Sequence, residues 1–325
     1  VVKELLFNAL ILLGSLVILD KASDITIRNS IRVARSTGLT NTTVGFLLVA
    51  FSTSLPELLI ALFAAVMPDT IGVAIGNVLG SNIVNICLIL GICFLWMGVR
   101  HPGKLESSLA EAKKETGSLY FGIFIASVIP LVLLSIGEVS RVVGAVLLII
   151  FAYYLYRLSR VRGPREETGK DGGEKGPGKS ILLSILGAMG IVASAYFLIE
   201  SASSIAIYLG IPKVVIGGTV IAFGTSIPEL ATSLSATRKG YLDLALGNII
   251  GSCFINITGI LGVALILSPF NVSITAFANL IVFTVLTNLF FWYFLSNERF
   301  SWREGLVLLG IYAIFLIASF SEYGP

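Results

Sequence analysis

Apolar stretches of about 20 residues recur from one end of this 325-residue chain to the other. Each is long enough to cross a lipid bilayer as a helix, and no other feature so narrows the folds open to the chain. Composition agrees, with 56% of residues hydrophobic and 13% charged, about half the charged fraction of a soluble domain. The expected fold is therefore an all-α polytopic membrane protein with the bilayer as its solvent.

Ten spans are expected, near 4–34, 42–66, 72–96, 117–136, 139–159, 181–209, 213–236, 241–267, 272–295 and 302–320. Between the fifth and sixth lies "RVRGPREETGKDGGEKGPGKS", which is rich in Gly, Pro and charge and cannot build a core. The organisation is thus an N-terminal five-helix repeat (1–159), a flexible linker (160–180) and a C-terminal five-helix repeat (181–325). Most of the 22 Lys and Arg residues follow odd-numbered spans; Lys3, Arg141 and Lys213 lie on the opposite side, and Lys21 lies within the first span. Positive charge concentrates on the cytoplasmic side, so the linker is expected in the cytoplasm and both termini outside the plasma membrane. A net charge of +3 is too small to imply a nucleic-acid partner, and no protein partner is evident. Cys87, Cys93 and Cys253 sit in apolar runs without metal-type spacing and read as small buried hydrophobes.

The two halves repeat each other. "VGFLLVAFSTSLPELLIAL" (44–62) matches "IGGTVIAFGTSIPELATSL" (216–234), and "GNVLGSNIVNICLILG" (76–91) matches "GNIIGSCFINITGILG" (247–262). Five spans is an odd number, so the second half enters the membrane with opposite orientation. Inverted repeats of this kind characterise secondary transporters, whose sites lie near the midplane where the repeats meet.

The best-copied stretches are also the most polar. Glu57 and Glu229 stand far from any loop, where an ionisable group is costly unless it faces a partner or a wet cavity. Thr53 and Ser54 precede Glu57 by four and three positions, as Thr225 and Ser226 precede Glu229, so hydroxyl and carboxylate share a helix face. Pro56 and Pro228 lack an N–H and clash with the carbonyl one turn earlier, which is expected to free main-chain oxygens around Ser52–Thr53 and Gly224–Thr225. On the partner spans Asn77, Ser81 and Asn85 form one polar stripe, repeated by Asn248, Ser252 and Asn256. Gly76, Gly80, Gly247 and Gly251 allow helices to approach closely. Two carboxylates with carbonyls and amides offer six or more oxygens, which suits the six to eight flexible ligands of Ca²⁺ better than the strict octahedron of Mg²⁺. No soft or imidazole ligand is at hand, since the sole histidine, His101, falls in a loop. Asp20 and Asp24 in the first span are second-tier candidates, able to line a water path or to pair with Lys21.

At these residues the sequence resembles the calcium/cation antiporter superfamily, which includes sodium/calcium and proton/calcium exchangers. The paired motifs "STSLPE…GNVLGSNIVN" and "GTSIPE…GNIIGSCFIN" carry the resemblance. It implies alternating access, with the first and sixth spans sliding past an eight-helix core. It also implies that Glu57 and Glu229 are the calcium carboxylates and that Thr53 and Thr225 supply main-chain carbonyls. Ala50 and Ala222 would offer carbonyls at flanking sites, and Ser54, Ser81, Asn85, Ser226, Ser252 and Asn256 the remaining polar lining. Many sodium-coupled members place Asp where Asn256 stands, and "FSTS" has Ser52 where Gly is commoner.

Two carboxylates neutralise one Ca²⁺, and two protons neutralise the same pair. Burial disfavours the charged form of a carboxyl group, so without a third acid the simplest balance is Ca²⁺ against H⁺. Na⁺ is the alternative counter-ion, because Asn oxygens can ligate it. A cation channel is a further reading that needs no counter-ion gradient. An enzyme is not expected: there is neither the apposed Asp pair of an intramembrane aspartyl protease nor the His ligands of a metalloprotease.

Overall fold

A computed structural model describes residues 2–37, 39–66, 71–100, a few positions between 121 and 132, 138–158, 178–208, 222–268, 270–271, 274–296 and 301–321. The described residues are almost wholly helical. Helix α1 spans Val2–Thr37. The second segment breaks into α2 (Asn41–Thr53) and α3 (Leu55–Val66), bent by 45° where Leu55–Leu62 leaves the first axis. Helix α4 runs Ile71–Ile83, widens to a π-helical stretch at Val84–Leu90 and continues as Gly91–Arg100. Then follow α5 (Arg141–Leu158), α6 (Gly178–Tyr208), a short α7 (Ala222–Thr225) and α8 (Ile227–Arg238). Helix α9 repeats the plan of α4: Leu242–Phe254, a π-helical stretch at Ile255–Ile260, then Leu261–Leu267. The last two are α10 (Ile274–Ser296) and α11 (Trp302–Ser321). One small antiparallel pairing, β1 (Glu138–Val139) with β2 (Phe270–Asn271), ties together the chain ahead of α5 and of α10.

Four described helices are long and apolar enough to cross a membrane, five if the bent pair counts as one span. The expected fourth span and the start of the seventh fall largely outside the described residues. Helix α6 begins at Gly178, so the last residues of the expected 160–180 linker are helical; the remainder of the linker lies outside the described residues.

The molecule is polar within and apolar without. Leu10, Val17, Val142, Ile149 and Ile317 are exposed, whereas Glu57, Glu229, Asn85, Asn248 and Asn256 are buried. In water such a distribution leaves a large apolar surface uncovered; in lipid that surface is solvated and the polar groups must satisfy one another. Helices α4 and α9 are buried along 83% and 89% of their apolar windows, against 22% for α5 and 11% for α11. The first two are therefore the centre and the last two the rim.

Contacts between these layers obey the repeat. Gly144 of α5 and Gly262 of α9 face each other so closely that a Cβ at either would meet the other's carbonyl at 2.8–3.1 Å. Gly91 of α4 and Gly305 of α11 make the same kind of contact, at 2.8–3.2 Å. Close backbone approach replaces the hydrophobic drive that lipid cannot supply. Along the pair α1 and α6, Ser30 Oγ meets Ser184 Oγ at 2.8 Å, and a Cβ on Gly187 would strike Thr26.

Candidate functional site

The break between α2 and α3 falls at Ser54 (φ −82°, ψ 12°), and the break between α7 and α8 at Ser226 (φ −88°, ψ 3°). Both serines occupy the sparsely populated bridge region. Pro56 and Pro228 then stand in the first turn of the following helix, where an N–H would lack an intrahelical partner anyway. The prolines thus start new helices, and the interruption lies at the serine just after the Ser52–Thr53 and Gly224–Thr225 stretches where freed carbonyls are expected from sequence. At the first break the Ala50 carbonyl accepts both the Ser54 N–H (3.0 Å) and the Thr53 hydroxyl (3.3 Å).

Glu57 and Glu229 each sit in the first turn of the helix that follows their break. Their exposures are 1% and 0%, so neither charge has water to support it. The pair is close enough for their charges to repel. Ser54 ties the two breaks together: three residues before Glu57 in sequence, its hydroxyl donates to Glu229 Oε1 at 3.2 Å. Ser252 of α9 donates to the same oxygen, also at 3.2 Å.

The polar stripes meet this centre from either side. The one Thr53 hydroxyl proton is shared between the Ala50 carbonyl and Asn248 Oδ1, 3.4 Å away, and Thr225 Oγ donates to Asn77 Oδ1 at 3.2 Å. These two contacts are images of each other under the repeat, each joining a broken segment of one half to the stripe of the other. Ser81 and Thr225 pair at 3.4 Å. Asn85 and Asn256 enter the π-helical stretches of α4 and α9, the kind of local widening often found at functional sites.

Five side-chain oxygens at this centre are buried without any hydrogen-bond partner: both of Glu57, Oε2 of Glu229, and Oδ1 of Asn85 and of Asn256. Buried polar groups are ordinarily paired, and an unpaired carboxylate is the costliest kind. Two amide nitrogens, Asn77 Nδ2 and Asn85 Nδ2, are also unpaired, but the acceptor oxygens outnumber them and include two carboxylates, which makes the group a cradle for cations. Among the described residues no three His, Cys, Asp or Glu side chains cluster, so the cradle is two carboxylates supplemented by neutral oxygens.

The structure therefore brings Glu57, Glu229, Thr53, Thr225, Ser54, Ser81, Ser252, Asn77 and Asn248 into one hydrogen-bonded or electrostatically linked group. Ser226 stands at the second break, buried. Ala222 opens α7, its side chain outside the described residues, as is that of Asp20. Asp24 is not at the centre: it pairs with Lys239, at the end of α8, and with Ser235, 3.0 Å away. Two groups of residues escaped the sequence reading. Asn82 accepts from Asn256 Nδ2 and donates to the Cys253 carbonyl, both at 3.4 Å. Thr232 and Ser233 hold Asn248 Nδ2 at 2.9 Å each. The signal that could have found the latter is the polarity of α8, whose counterpart α3 reads "LPELLIALFAAV".

The family model described as sodium/calcium exchanger protein matches residues 7–160 and 179–321. The chain belongs to the sodium/calcium exchanger family. The matched stretches stop and resume on either side of the expected linker. An exchanger of Methanosarcina acetivorans, sodium/calcium exchanger MaX1, is 32% identical over 370 residues, spanning 96% of this chain and 98% of the relative. The Ca(2+)/H(+) antiporter ChaA of Bacillus subtilis is 25% identical over 300 residues, 85% of this chain and 83% of the relative. Among solved structures, the sodium-calcium exchanger NCX_Mj superposes with a TM-score of 0.78 at 30% identity, covering 97% of this chain and 99% of that one. This chain is thus a multi-pass membrane cation exchanger, and an exchanger moves ions without transforming them.

Proposed function

We propose that this exchanger carries Ca²⁺ between the carboxylates of Glu57 and Glu229, in turn with Na⁺ on overlapping ligands. The observation that carries the reading is the cluster of five buried, partnerless oxygens. Two carboxylates balance one Ca²⁺, and its coordination sphere accepts a mixture of carboxylate, amide and carbonyl oxygens. Ser54 and Ser252 hold the Glu229 carboxylate through its other oxygen before the ion arrives. Only one species fits the cradle at a time, so an ion on one side displaces its competitor to the other. That competition is what makes an exchanger rather than a channel.

Two features favour Na⁺ over H⁺. Asn85 and Asn256 contribute partnerless amide oxygens, which ligate Na⁺ but do not bind a proton at neutral pH. The relatives aligned along nearly the whole chain include a sodium/calcium exchanger. Proton exchange, expected from the charge count, is the second reading. Its support is that Glu57 and Glu229 are the two acids of the cradle and that ChaA is a relative. In either reading the linker faces the cytoplasm, the termini lie outside, and the membrane is the plasma membrane.

Calcium uptake into proteoliposomes under an imposed sodium gradient, then under a proton gradient, separates the readings. Sodium-driven uptake without proton-driven uptake is expected, and the reverse result transfers the assignment to protons. Glu57→Gln and Glu229→Gln should each abolish uptake while the protein still elutes as a folded species. Wild-type uptake by either variant would end the site assignment.

A further inference from the structure

The two halves of the site are not held equally. On one side, Asn248 is saturated: its Nδ2 donates to Thr232 Oγ and Ser233 Oγ at 2.9 Å each, and its Oδ1 accepts from Thr53. Thr232 in turn spends its own proton on the Pro228 carbonyl (2.8 Å), so its oxygen is committed to accepting. Glu229, on this same side, has Oε1 fixed by Ser54 and Ser252.

The other side lacks the fixings. Asn77 accepts from Thr225 as Asn248 does from Thr53, but Asn77 Nδ2 is buried without a partner. The repeat aligns Thr232 with Ile60 and Ser233 with Ala61, and neither of those side chains can accept a hydrogen bond. Ser81, the counterpart of Ser252, pairs with Thr225, and no side chain holds a Glu57 oxygen at the distance at which Ser54 and Ser252 hold Glu229 Oε1.

We infer that Thr232 and Ser233 are positioning residues that brace the Asn248–Thr53 contact, making the Glu229 half of the site preformed and leaving the Glu57 half to be ordered by the incoming cation. A preformed half lowers the ordering cost of binding, and a loose half leaves the ion removable. Sequence duplication alone cannot produce this division of labour; it arises because α8 carries hydroxyls where α3 carries Ile60 and Ala61.

This inference rests on the calcium-site reading above, and the test is arranged to separate the two. Sodium-driven Ca²⁺ uptake is measured in proteoliposomes as KM and Vmax for wild type, Glu229→Gln, the double variant Thr232→Val/Ser233→Ala, and the double variant Thr232→Ser/Ser233→Thr; a proton gradient replaces sodium if that is the driving ion. Removing both acceptors leaves two buried amide protons unpaired, and the Val/Ala variant should raise KM about tenfold with Vmax held within about twofold. The Ser/Thr variant keeps both hydroxyls and should restore the wild-type KM. Conversely Ala61→Ser offers Asn77 Nδ2 the acceptor it lacks and should lower KM by about two- to fivefold, a gain that a misfolded protein cannot mimic. An unchanged KM in the Val/Ala variant, an unrestored KM in the Ser/Thr variant, or an unchanged or raised KM in Ala61→Ser overturns the brace. Loss of uptake in Glu229→Gln alongside such a result leaves the site reading standing, whereas normal uptake in Glu229→Gln removes the site itself.

Discussion

Replacing Gly247 by alanine tests the closest helix crossing beside the site. A Cβ at Gly247 would strike the Thr42 carbonyl oxygen and lie 2.9 Å from both its carbonyl carbon and its Cα. Ordinary van der Waals contact starts near 3.4 Å, so α2 and α9 must separate by roughly 1 Å at this point. All three obstructing atoms are backbone, which denies the strain the easy escape of a side-chain rotation. Gly45 guards the same crossing from the other helix, its own hypothetical Cβ falling 2.5 Å from the Leu244 oxygen. Overpacking of this kind costs roughly 1–3 kcal/mol, occasionally more. The separation also works directly on the Thr53–Asn248 contact, which at 3.4 Å has no slack to absorb it. Gly310→Ala is the control, since its Cβ has no described atom within 4 Å. Thermal unfolding in detergent and calcium uptake in proteoliposomes are the assays. Gly247→Ala should melt several degrees below Gly310→Ala and take up calcium with a KM raised several-fold. A Gly247→Ala protein as stable and as active as the control would refute the tight crossing.

Other expectations follow from single contacts. Ser54→Ala with Ser252→Ala strips Glu229 Oε1 of both its donors; calcium KM should rise several-fold, and an unchanged KM would show that the carboxylate is held by something else. Cys87, Cys93 and Cys253 are free and buried, so a hydrophilic maleimide should label none of them until the protein is denatured, as read by mass shift. The Asp24–Lys239 pair is about 30% exposed on each side, and exposed pairs contribute about 1 kcal/mol or less. Lys239→Met should therefore move the melting temperature only slightly, and a large drop would mean that the pair clamps α1 to α8.

Much of the site was legible because an apolar chain makes its polar residues conspicuous. Glu57, Glu229 and the stripes Asn77–Ser81–Asn85 and Asn248–Ser252–Asn256 stand out against a hydrocarbon background, and their duplication announces a shared centre. Residues off that pattern were invisible. Asn82 sits beside the stripe rather than on it, and it joins the network through Asn256 and the Cys253 carbonyl. The prolines were read as the source of freed carbonyls around Ser52–Thr53 and Gly224–Thr225; the structure adds that they initiate α3 and α8 while Ser54 and Ser226 carry the interruption. A proline's missing N–H is equally compatible with a kink inside a helix and with the first turn of a new one, so sequence alone could not choose.

By itself the sequence determined the solvent, the helical class and the duplication, and it singled out the two glutamates that prove to be buried, since each of these is a property of composition or spacing along one strand of chain. Tertiary structure alone decided which oxygens are left without donors, where the broken segments turn, and how unequally the two halves are braced. The reason is that a hydrogen bond between Ser54 and Glu229, or between Thr232 and Asn248, depends on where separate helices come to rest against one another. Near-identical motifs can be placed in unequal surroundings, and here hydroxyls on α8 face one asparagine while an isoleucine and an alanine occupy the matching positions beside the other.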